Sequence, residues 1–141
     1  MGIQASGKST FYQQMLLHTH AHISLDVLRT RGRELQAINE CVEEGRSFVV
    51  DNTNPEKTDR QRYISIAKEH GYSVIGIFFQ SIVKDCIRRN EMRDKGIPPK
   101  AIACTSNKLQ MPSTTEGFDD LYFAKMNNNN GFDIEPWIES V

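Results

Sequence analysis

Long apolar runs, paired cysteines and an excess of one charge are all missing from this sequence. No stretch of about 18 apolar residues occurs, so no membrane-spanning helix is expected. Cys41, Cys86 and Cys104 lie far apart without a C-x-x-C pair, which disfavours a zinc site or a disulfide framework and favours free thiols in a reducing cytosol. The formal net charge is −1, so the chain as a whole is not drawn to nucleic acid or to membrane. We therefore expect a cytoplasmic protein, and nothing here indicates its oligomeric state.

Short apolar runs alternate with amphipathic stretches along the 141 residues, a length typical of one domain. Periodicity and turn residues predict helices over 8–17, 33–44, 58–70, 82–93 and 98–109, and strands over 22–24, 47–50, 73–79 and 121–126. Strands and helices that alternate in this way predict an α/β fold of three layers with a mostly parallel sheet. We further expect the asparagines over 127–131 to form a flexible loop, and the segment 132–141 to dock as a short helix through Trp137.

The strongest motif lies at the start of the chain. It fits G-x-x-x-x-G-K-[ST] at every fixed position and consists of Gly2, Ile3, Gln4, Ala5, Ser6, Gly7, Lys8, Ser9 and Thr10. Glycines let successive N–H groups wrap around phosphate oxygens at the positive end of the following helix. Lys8 then reaches the β- and γ-phosphates, and the Ser9 hydroxyl is a ligand for Mg²⁺. The motif predicts ATP and Mg²⁺ binding.

This motif should follow a hydrophobic strand, yet Met1 stands directly before Gly2. Without a strand there, the strands that end at Asp51 and Phe79 would lack their shared neighbour. We therefore expect that the chain is a single P-loop domain over 1–141 that is truncated at its N-terminus.

Asp51 follows the apolar run Phe48 to Val50, and Asn54 lies three residues further on. A carboxylate at the carboxyl end of a buried strand lies beside a phosphate loop in this architecture, where it can enter a Mg²⁺ shell. The alternative is that both side chains form the turn and cap the next helix. We favour the metal site for Asp51 and the cap for Asn54.

Asp26 and Arg29 follow the predicted second strand. Asp26 can accept the proton of an attacking hydroxyl, and Arg29 would share its helix face and can hold an anionic acceptor. An N-capping aspartate with a surface arginine is an equal alternative from spacing alone.

Arg89 and Arg93 are four residues apart near the end of a predicted helix and should share one face. Two guanidinium groups on one face suit a lid that neutralises charge on a transferring phosphoryl group. Considered alone, they also fit an ordinary solvated face.

The alternating histidines His18, His20 and His22 would share one side of a strand. They could form a metal site, although polar residues of an edge strand are the simpler interpretation.

Taken together, these motifs resemble the kinase domain of polynucleotide kinases, within the group of small P-loop kinases called AAA-type ATP-binding proteins. The resemblance covers residues 2–126. Besides the phosphate loop, it depends on I-S-x-D-x-x-R at 23–29, D-x-T-N-P at 51–55, A-x-x-x-G at 67–71, R-N-x-x-R at 89–93 and E-G-F-D at 116–119.

The resemblance implies a role for each matching position. Lys8 and Ser9 bind phosphates and Mg²⁺, and Asp51 supports the site near the phosphates. Asp26 is the general base, and Arg29 contacts the phosphate next to the acceptor's 5′-hydroxyl. Arg89 and Arg93 are lid arginines, with Arg93 the transition-state contact.

The expected function is transfer of the ATP γ-phosphoryl group to a hydroxyl, and the first choice of acceptor is the 5′-hydroxyl of a nucleic acid. A kinase for a small metabolite or antibiotic and an ATP-binding protein without catalysis are the alternatives. We expect no phosphatase or ligase domain within these 141 residues, and no basic stripe marks a long nucleic-acid track.

Overall fold

The computed structural model describes residues 1–139. They form two compact units. The first unit combines Met1–Gly7 with the chain from Thr53 onward, and the second unit consists of Lys8–Asn52.

Two short parallel strands and three helices form the second unit. In chain order these are α1 (Lys8–Met15), β1 (Ala21–Ile23), α2 (Leu25–Leu28), α3 (Arg31–Glu44) and β2 (Phe48–Val50). The strands β1 and β2 are parallel, with His22 opposite Val49. A parallel pair needs a crossover, which α3 supplies. The unit buries Phe11, Tyr12, Ile23, Ile38 and Cys41.

Local sequence signals explain where α3 begins and ends. Thr30 is the N-cap, and its hydroxyl accepts a hydrogen bond from the Arg33 N–H. Gly45 ends the helix with φ of 66°, a left-handed conformation that glycine adopts without a steric cost.

The first unit holds the remaining elements. These are α4 (Lys57–Glu69), β3 (Ile75–Phe79), α5 (Val83–Glu91), α6 (Pro99–Lys108), a 3-10 turn (Thr114–Glu116), β4 (Asp120–Met126) and β5 (Phe132–Pro136). The strand β4 pairs parallel to β3 and antiparallel to β5. Ile3 and Ala5 of the phosphate loop are buried in one apolar cluster with Cys86 of α5 and Ile102 of α6. The loop is thus part of this unit's core.

Met1 hydrogen-bonds along the edge of β3. Its nitrogen donates to the Ile77 carbonyl at 2.8 Å, and its carbonyl accepts from the Phe79 N–H at 2.9 Å. The Gly2 N–H donates to the Thr53 carbonyl at 3.1 Å. The expectation that a strand precedes Gly2 stays a prediction.

The predicted helix over 132–141 is wrong, since β5 occupies its first half; residues 140 and 141 lie outside the described chain. The asparagine-rich segment closes a hairpin instead of a flexible loop. The Asn127 side-chain oxygen accepts from the N–H groups of Asn129 and Gly131, and Asn130 has φ of 59°. Asn-Gly is a strong hairpin signal. Trp137 packs edge-on against Phe78, with ring centroids 5.6 Å apart, as predicted.

The predicted helix over 82–93 is two residues too long at its C-terminal end, because α5 ends at Glu91. Asn90 is buried, and its amide exchanges two hydrogen bonds with the backbone of Ile97, at 2.6 and 3.0 Å. Those bonds turn the chain back toward Asn90. Arg93 therefore lies in a turn beyond the helix.

No helix within residues 1–139 is long and apolar enough to cross a membrane.

Candidate active site

The phosphate loop has the backbone of an anion-binding loop. Gly2, Ala5 and Gly7 have φ of 152°, 62° and 107°, and this pattern lets neighbouring N–H groups converge. A Cβ added at Gly7 would lie 3.0 Å from the Phe132 ring and 3.1 Å from the Met126 sulfur. Gly7 therefore has neither the conformation nor the space for a side chain.

Two side chains of the loop have buried polar atoms without a partner in the described chain, the Ser6 hydroxyl and the Gln4 carbonyl oxygen. A buried polar atom without a partner is costly. The Gln4 amide nitrogen is anchored, since it donates to the Thr105 hydroxyl of α6 at 2.9 Å. An oxygen-rich ligand at the loop would offer a hydrogen-bond acceptor to the Ser6 hydroxyl, so the loop fits a phosphate.

Arg89 contacts the loop directly. Its Nη1 donates to the Ala5 carbonyl at 2.9 Å, and Ala5 has the least favourable φ of the loop for a residue with a side chain. Arg89 thus supports the shape of the loop. Arg93 is exposed beyond α5, so the predicted shared helix face of the two arginines is wrong.

In the second unit, Asp51 is the acceptor for two side chains. Its Oδ2 accepts from the Ser9 hydroxyl at 2.7 Å and lies 2.7 Å from His22 Nε2. The Asp51 side chain is 4% exposed, while Ser9 is exposed. A hydroxyl and a carboxylate side by side are ligands that Mg²⁺ prefers. This donor set fits the predicted metal site at Ser9 and Asp51.

His22 fixes the orientation of this carboxylate. Its ring stacks on Tyr12 with centroids 4.2 Å apart and an interplanar angle of 13°. His20 instead lies 2.7 Å from the Thr19 hydroxyl through its Nδ1. No group of three potential metal-ligating side chains of His, Cys, Asp or Glu occurs in residues 1–139.

Asp26 lies in the first turn of α2, and its side chain is exposed. Ser24 is the N-cap of this helix, so the alternative that Asp26 caps it is wrong. Within the described residues, Asp26 has no hydrogen-bond or ion-pair partner. Its carboxylate is therefore available to a ligand.

Arg29 does not share a helix face with Asp26 as predicted. It follows the last residue of α2 with φ of 76°, and its N–H donates to the Leu25 carbonyl at 2.8 Å. The prediction assumed a longer helix. Arg29 is exposed as well.

Asn54 does not cap α4. The N-cap is Glu56, which forms a capping box with Asp59, and Asn54 adopts φ of 44° two residues earlier. The predicted cap at Asn54 is therefore wrong, because the helix begins only at Lys57, after Pro55.

Sequence reasoning missed three polar side chains of the second unit. These are His22, which contacts Asp51, and the hydrogen-bonded pair Asn52 and Glu34. Only Asn52 had a signal, since it directly follows Asp51 at the end of a strand. Glu34 is 2% exposed, although it lies in the charged first turn of α3.

The α/β architecture with mostly parallel strand pairs and the complete phosphate loop define a P-loop nucleotide-binding protein. The profile of one family of AAA domains matches residues 1–101. The chain belongs to this AAA domain family.

Curated relatives point to a narrower group. The chain is 30% identical over 127 residues to a bifunctional polynucleotide phosphatase/kinase of Schizosaccharomyces pombe, covering 86% of this chain and 31% of that protein. It is 28% identical over 139 residues to a putative bifunctional polynucleotide phosphatase/kinase of Acanthamoeba polyphaga mimivirus, covering 89% of this chain and 33% of that protein. The chain therefore spans about a third of the length of these relatives. The predicted resemblance to P-loop kinases of the polynucleotide kinase type is confirmed.

A solved structure supports the fold. The crystal structure of a gluconokinase from Sinorhizobium meliloti 1021 has a TM-score of 0.62 and 16% identity, and the match covers 87% of this chain and 79% of the gluconokinase. At that identity the likeness concerns the fold alone. It confirms the predicted fold class.

Proposed function

We propose that this protein is an ATP-dependent phosphotransferase that moves the γ-phosphoryl group of ATP to a hydroxyl, with the 5′-hydroxyl of a polynucleotide as acceptor. One observation carries the chemistry most directly: the Ser9 hydroxyl bonded at 2.7 Å to the buried Asp51 carboxylate, immediately after a complete phosphate loop. The names of the curated relatives support the choice of acceptor.

The loop from Gly2 to Gly7 binds the phosphates of ATP through its N–H groups. Lys8, the first residue of α1, adds a mobile positive charge for the β- and γ-phosphates. Ile3, Gln4, Ala5, Ser6 and Thr10 belong to the same binding segment. Because such loops bind phosphate largely through backbone N–H groups, the loop side chains mainly fix the shape of the loop.

Ser9 and Asp51 would hold Mg²⁺, with Asp51 oriented by His22. When bound, Mg²⁺ supplies positive charge next to the β- and γ-phosphate oxygens, where negative charge develops. Ser9 and Asp51 contribute oxygen ligands, and His22 keeps the carboxylate in place through its ring nitrogen.

Asp26 acts as the general base. An exposed carboxylate without a partner in the described chain can accept the proton of an acceptor hydroxyl as that hydroxyl attacks the γ-phosphorus. Arg29 is exposed three residues later and holds the acceptor's neighbouring phosphate through its guanidinium group.

Arg93 provides the mobile cation of the lid. It is exposed in the turn after α5, so it can approach a transferring phosphoryl group and stabilise its charge. Arg89 has a second task, since it already binds the loop carbonyl of Ala5.

One observation keeps a small-molecule acceptor as the second candidate. The net charge is −1, whereas proteins that bind long stretches of nucleic acid have basic surfaces. A short contact to one 5′ end needs only Arg29.

The test measures transfer of labelled γ-phosphate from ATP with Mg²⁺ to a short 5′-hydroxyl oligonucleotide. We expect labelling by the parent chain and its loss in Asp26→Asn, because the base is then neutral. Arg29→Ala should weaken labelling of the oligonucleotide by about 10-fold or more, since a charged hydrogen bond is lost. Glu43→Gln, an exposed carboxylate of α3, is the matched control and should change nothing.

Each outcome has a clear meaning. Labelling that survives Asp26→Asn would refute the assigned base. No labelling by a protein whose melting temperature rises with Mg-ATP would refute the polynucleotide acceptor and direct the search to small hydroxyl metabolites. No rise of the melting temperature with Mg-ATP would contradict nucleotide binding itself.

A further inference from the structure

A chain of hydrogen bonds joins the end of β2 to the short helix that carries Asp26. The Leu25 N–H, at the start of α2, donates to Asn52 Oδ1 at 2.9 Å. Asn52 Nδ2 in turn donates to Glu34 Oε2 at 2.9 Å. Arg31 Nη1 donates to Glu34 Oε1 at 3.2 Å. All of these groups belong to the second unit.

The two partners of Asn52 require an amide side chain at position 52. A backbone N–H only donates and a carboxylate only accepts, so the amide oxygen must face Leu25 and the amide nitrogen must face Glu34. Aspartate at position 52 would place two carboxylates against each other. A leucine would remove both hydrogen bonds.

The helix α2 depends on this contact more than a longer helix would. It has four residues, Leu25–Leu28, and the Ser24 side chain makes no capping hydrogen bond to it. A single turn is not stable by itself, and the first N–H groups of any helix need partners outside it. Asn52 satisfies one of them, one residue before Asp26.

Burial of the Glu34 carboxylate costs free energy that a purely structural position would not require. The side chain is 3% exposed, and its ion-pair partner Arg31 is 54% exposed. A buried carboxylate must be held by several hydrogen bonds. An apolar side chain would fill this position at no such cost, but it could not orient the Asn52 amide.

We propose that Asn52 and Glu34 are positioning residues for the general base: Glu34 locks the amide of Asn52, and Asn52 fixes the turn that carries Asp26. The inference rests on the proposed function, in which Asp26 accepts the acceptor's proton. Because Asn52 directly follows Asp51, the same strand end then orients both the metal ligand and the base.

The test exchanges the two polar groups. Asn52→Asp places a second carboxylate beside Glu34 and should release α2. Combining Asn52→Asp with Glu34→Gln restores both bonds, since the introduced glutamine amide can donate to the new carboxylate, which still accepts from Leu25. The double variant has the same formal charge as the parent. Gln36→Glu, which places a carboxylate beside exposed Glu40 on the same helix, is the matched control.

Two readouts separate positioning from general damage. Hydrogen exchange of the Leu25 amide reports the bond to Asn52 without any catalysis, and steady-state kinetics separate kcat from the KM for Mg-ATP. For Asn52→Asp we expect loss of Leu25 protection, a fall in kcat on the order of 10- to 100-fold, and a KM for Mg-ATP within about 2-fold. The double variant should recover most of both, and Gln36→Glu should behave as the parent does.

Three results would overturn the inference: a double variant that recovers neither Leu25 protection nor kcat, an unchanged kcat in Asn52→Asp despite lost protection, or an equal fall in Gln36→Glu. Asp26→Asn is measured in parallel. If it keeps full activity, the proposed base is wrong, whereas a fall there with unchanged Asn52→Asp kinetics refutes only the positioning role.

Discussion

Replacing Arg60 by methionine should strongly destabilise the protein, because Arg60 lies in a buried, bidentate ion pair with Glu116. The Nε–Oε1 and Nη2–Oε2 distances are 2.7 and 3.1 Å, and the two side chains are 3% and 4% exposed. Arg60 Nη1 also donates to the carbonyls of Asn54, Pro55 and Gln110. One guanidinium group thus joins separate parts of the first unit.

The expected loss follows from burial. Removal of Arg60 leaves the Glu116 carboxylate in the interior without its cation, which costs about 3–5 kcal/mol in comparable buried pairs. That is a large part of the roughly 5–15 kcal/mol that stabilises a typical domain. At about 2–4 °C per kcal/mol for a chain near this size, the melting temperature should fall by roughly 10 °C.

The chain contains a matched control. Lys68 and Asp119 have the same 2.7 Å separation between charged atoms, but their side chains are 42% and 43% exposed. Solvent screens such a pair, so Lys68→Met should lower the free energy of unfolding far less than Arg60→Met does. Urea unfolding followed by the fluorescence of the single tryptophan, Trp137, measures both variants.

Equal losses for the two variants would refute the reasoning, since the interatomic distance would then matter and burial would not. A third variant tests the assigned cause. Combining Arg60→Met with Glu116→Leu removes the isolated carboxylate, and it should regain part of the lost free energy of unfolding.

Three further predictions follow from the site and its surroundings. His22→Phe keeps an aromatic ring but loses the contact with Asp51, so the Mg²⁺ concentration for half-maximal activity should rise about 10-fold in a metal titration; an unchanged titration would contradict this. Gly7→Ala forces a side chain into a positive φ against close neighbours and should cost about 1–3 kcal/mol in thermal unfolding, whereas Gly32→Ala in open space should be neutral or stabilising. Thiol reagents should label only Cys104 in the native protein. The buried thiols are Cys41 and Cys86. Labelling of all three before unfolding would contradict their burial.

Strongly periodic segments were predictable because each has local signals. The helix α3 has an apolar stripe, a threonine N-cap and a terminal glycine, and its predicted and observed ends agree at Glu44. The strand β3 is a nearly continuous apolar run, and its predicted end at Phe79 is also observed. In both cases neighbouring residues in the chain define the element.

The secondary-structure predictions were wrong where contacts between residues far apart in the chain determine the backbone conformation. The end of α5 depends on the bonds of Asn90 to Ile97, so Arg93 falls outside the helix that spacing predicted. The segment 132–136 pairs with β4 in a hairpin, although the spacing of Ile134, Trp137 and Ile138 also fits one helix turn. Arg29 leaves helical geometry after a single turn, and no neighbouring residue in the sequence predicts this early end of the helix.

The sequence by itself determined the phosphate loop, its lysine and serine, the α/β class and the kinase resemblance, because the motif is contiguous and its glycines act through their own φ angles. Tertiary structure alone decided which side chains contact Asp51 and the short turn that contains Asp26. His22, Glu34 and Asn52 lie far apart along the chain, and only the parallel pairing of β1 with β2 and the return of α3 bring their polar atoms within hydrogen-bond distance of their partners. A hydrogen bond depends on separation in space, and spacing along the chain does not record it.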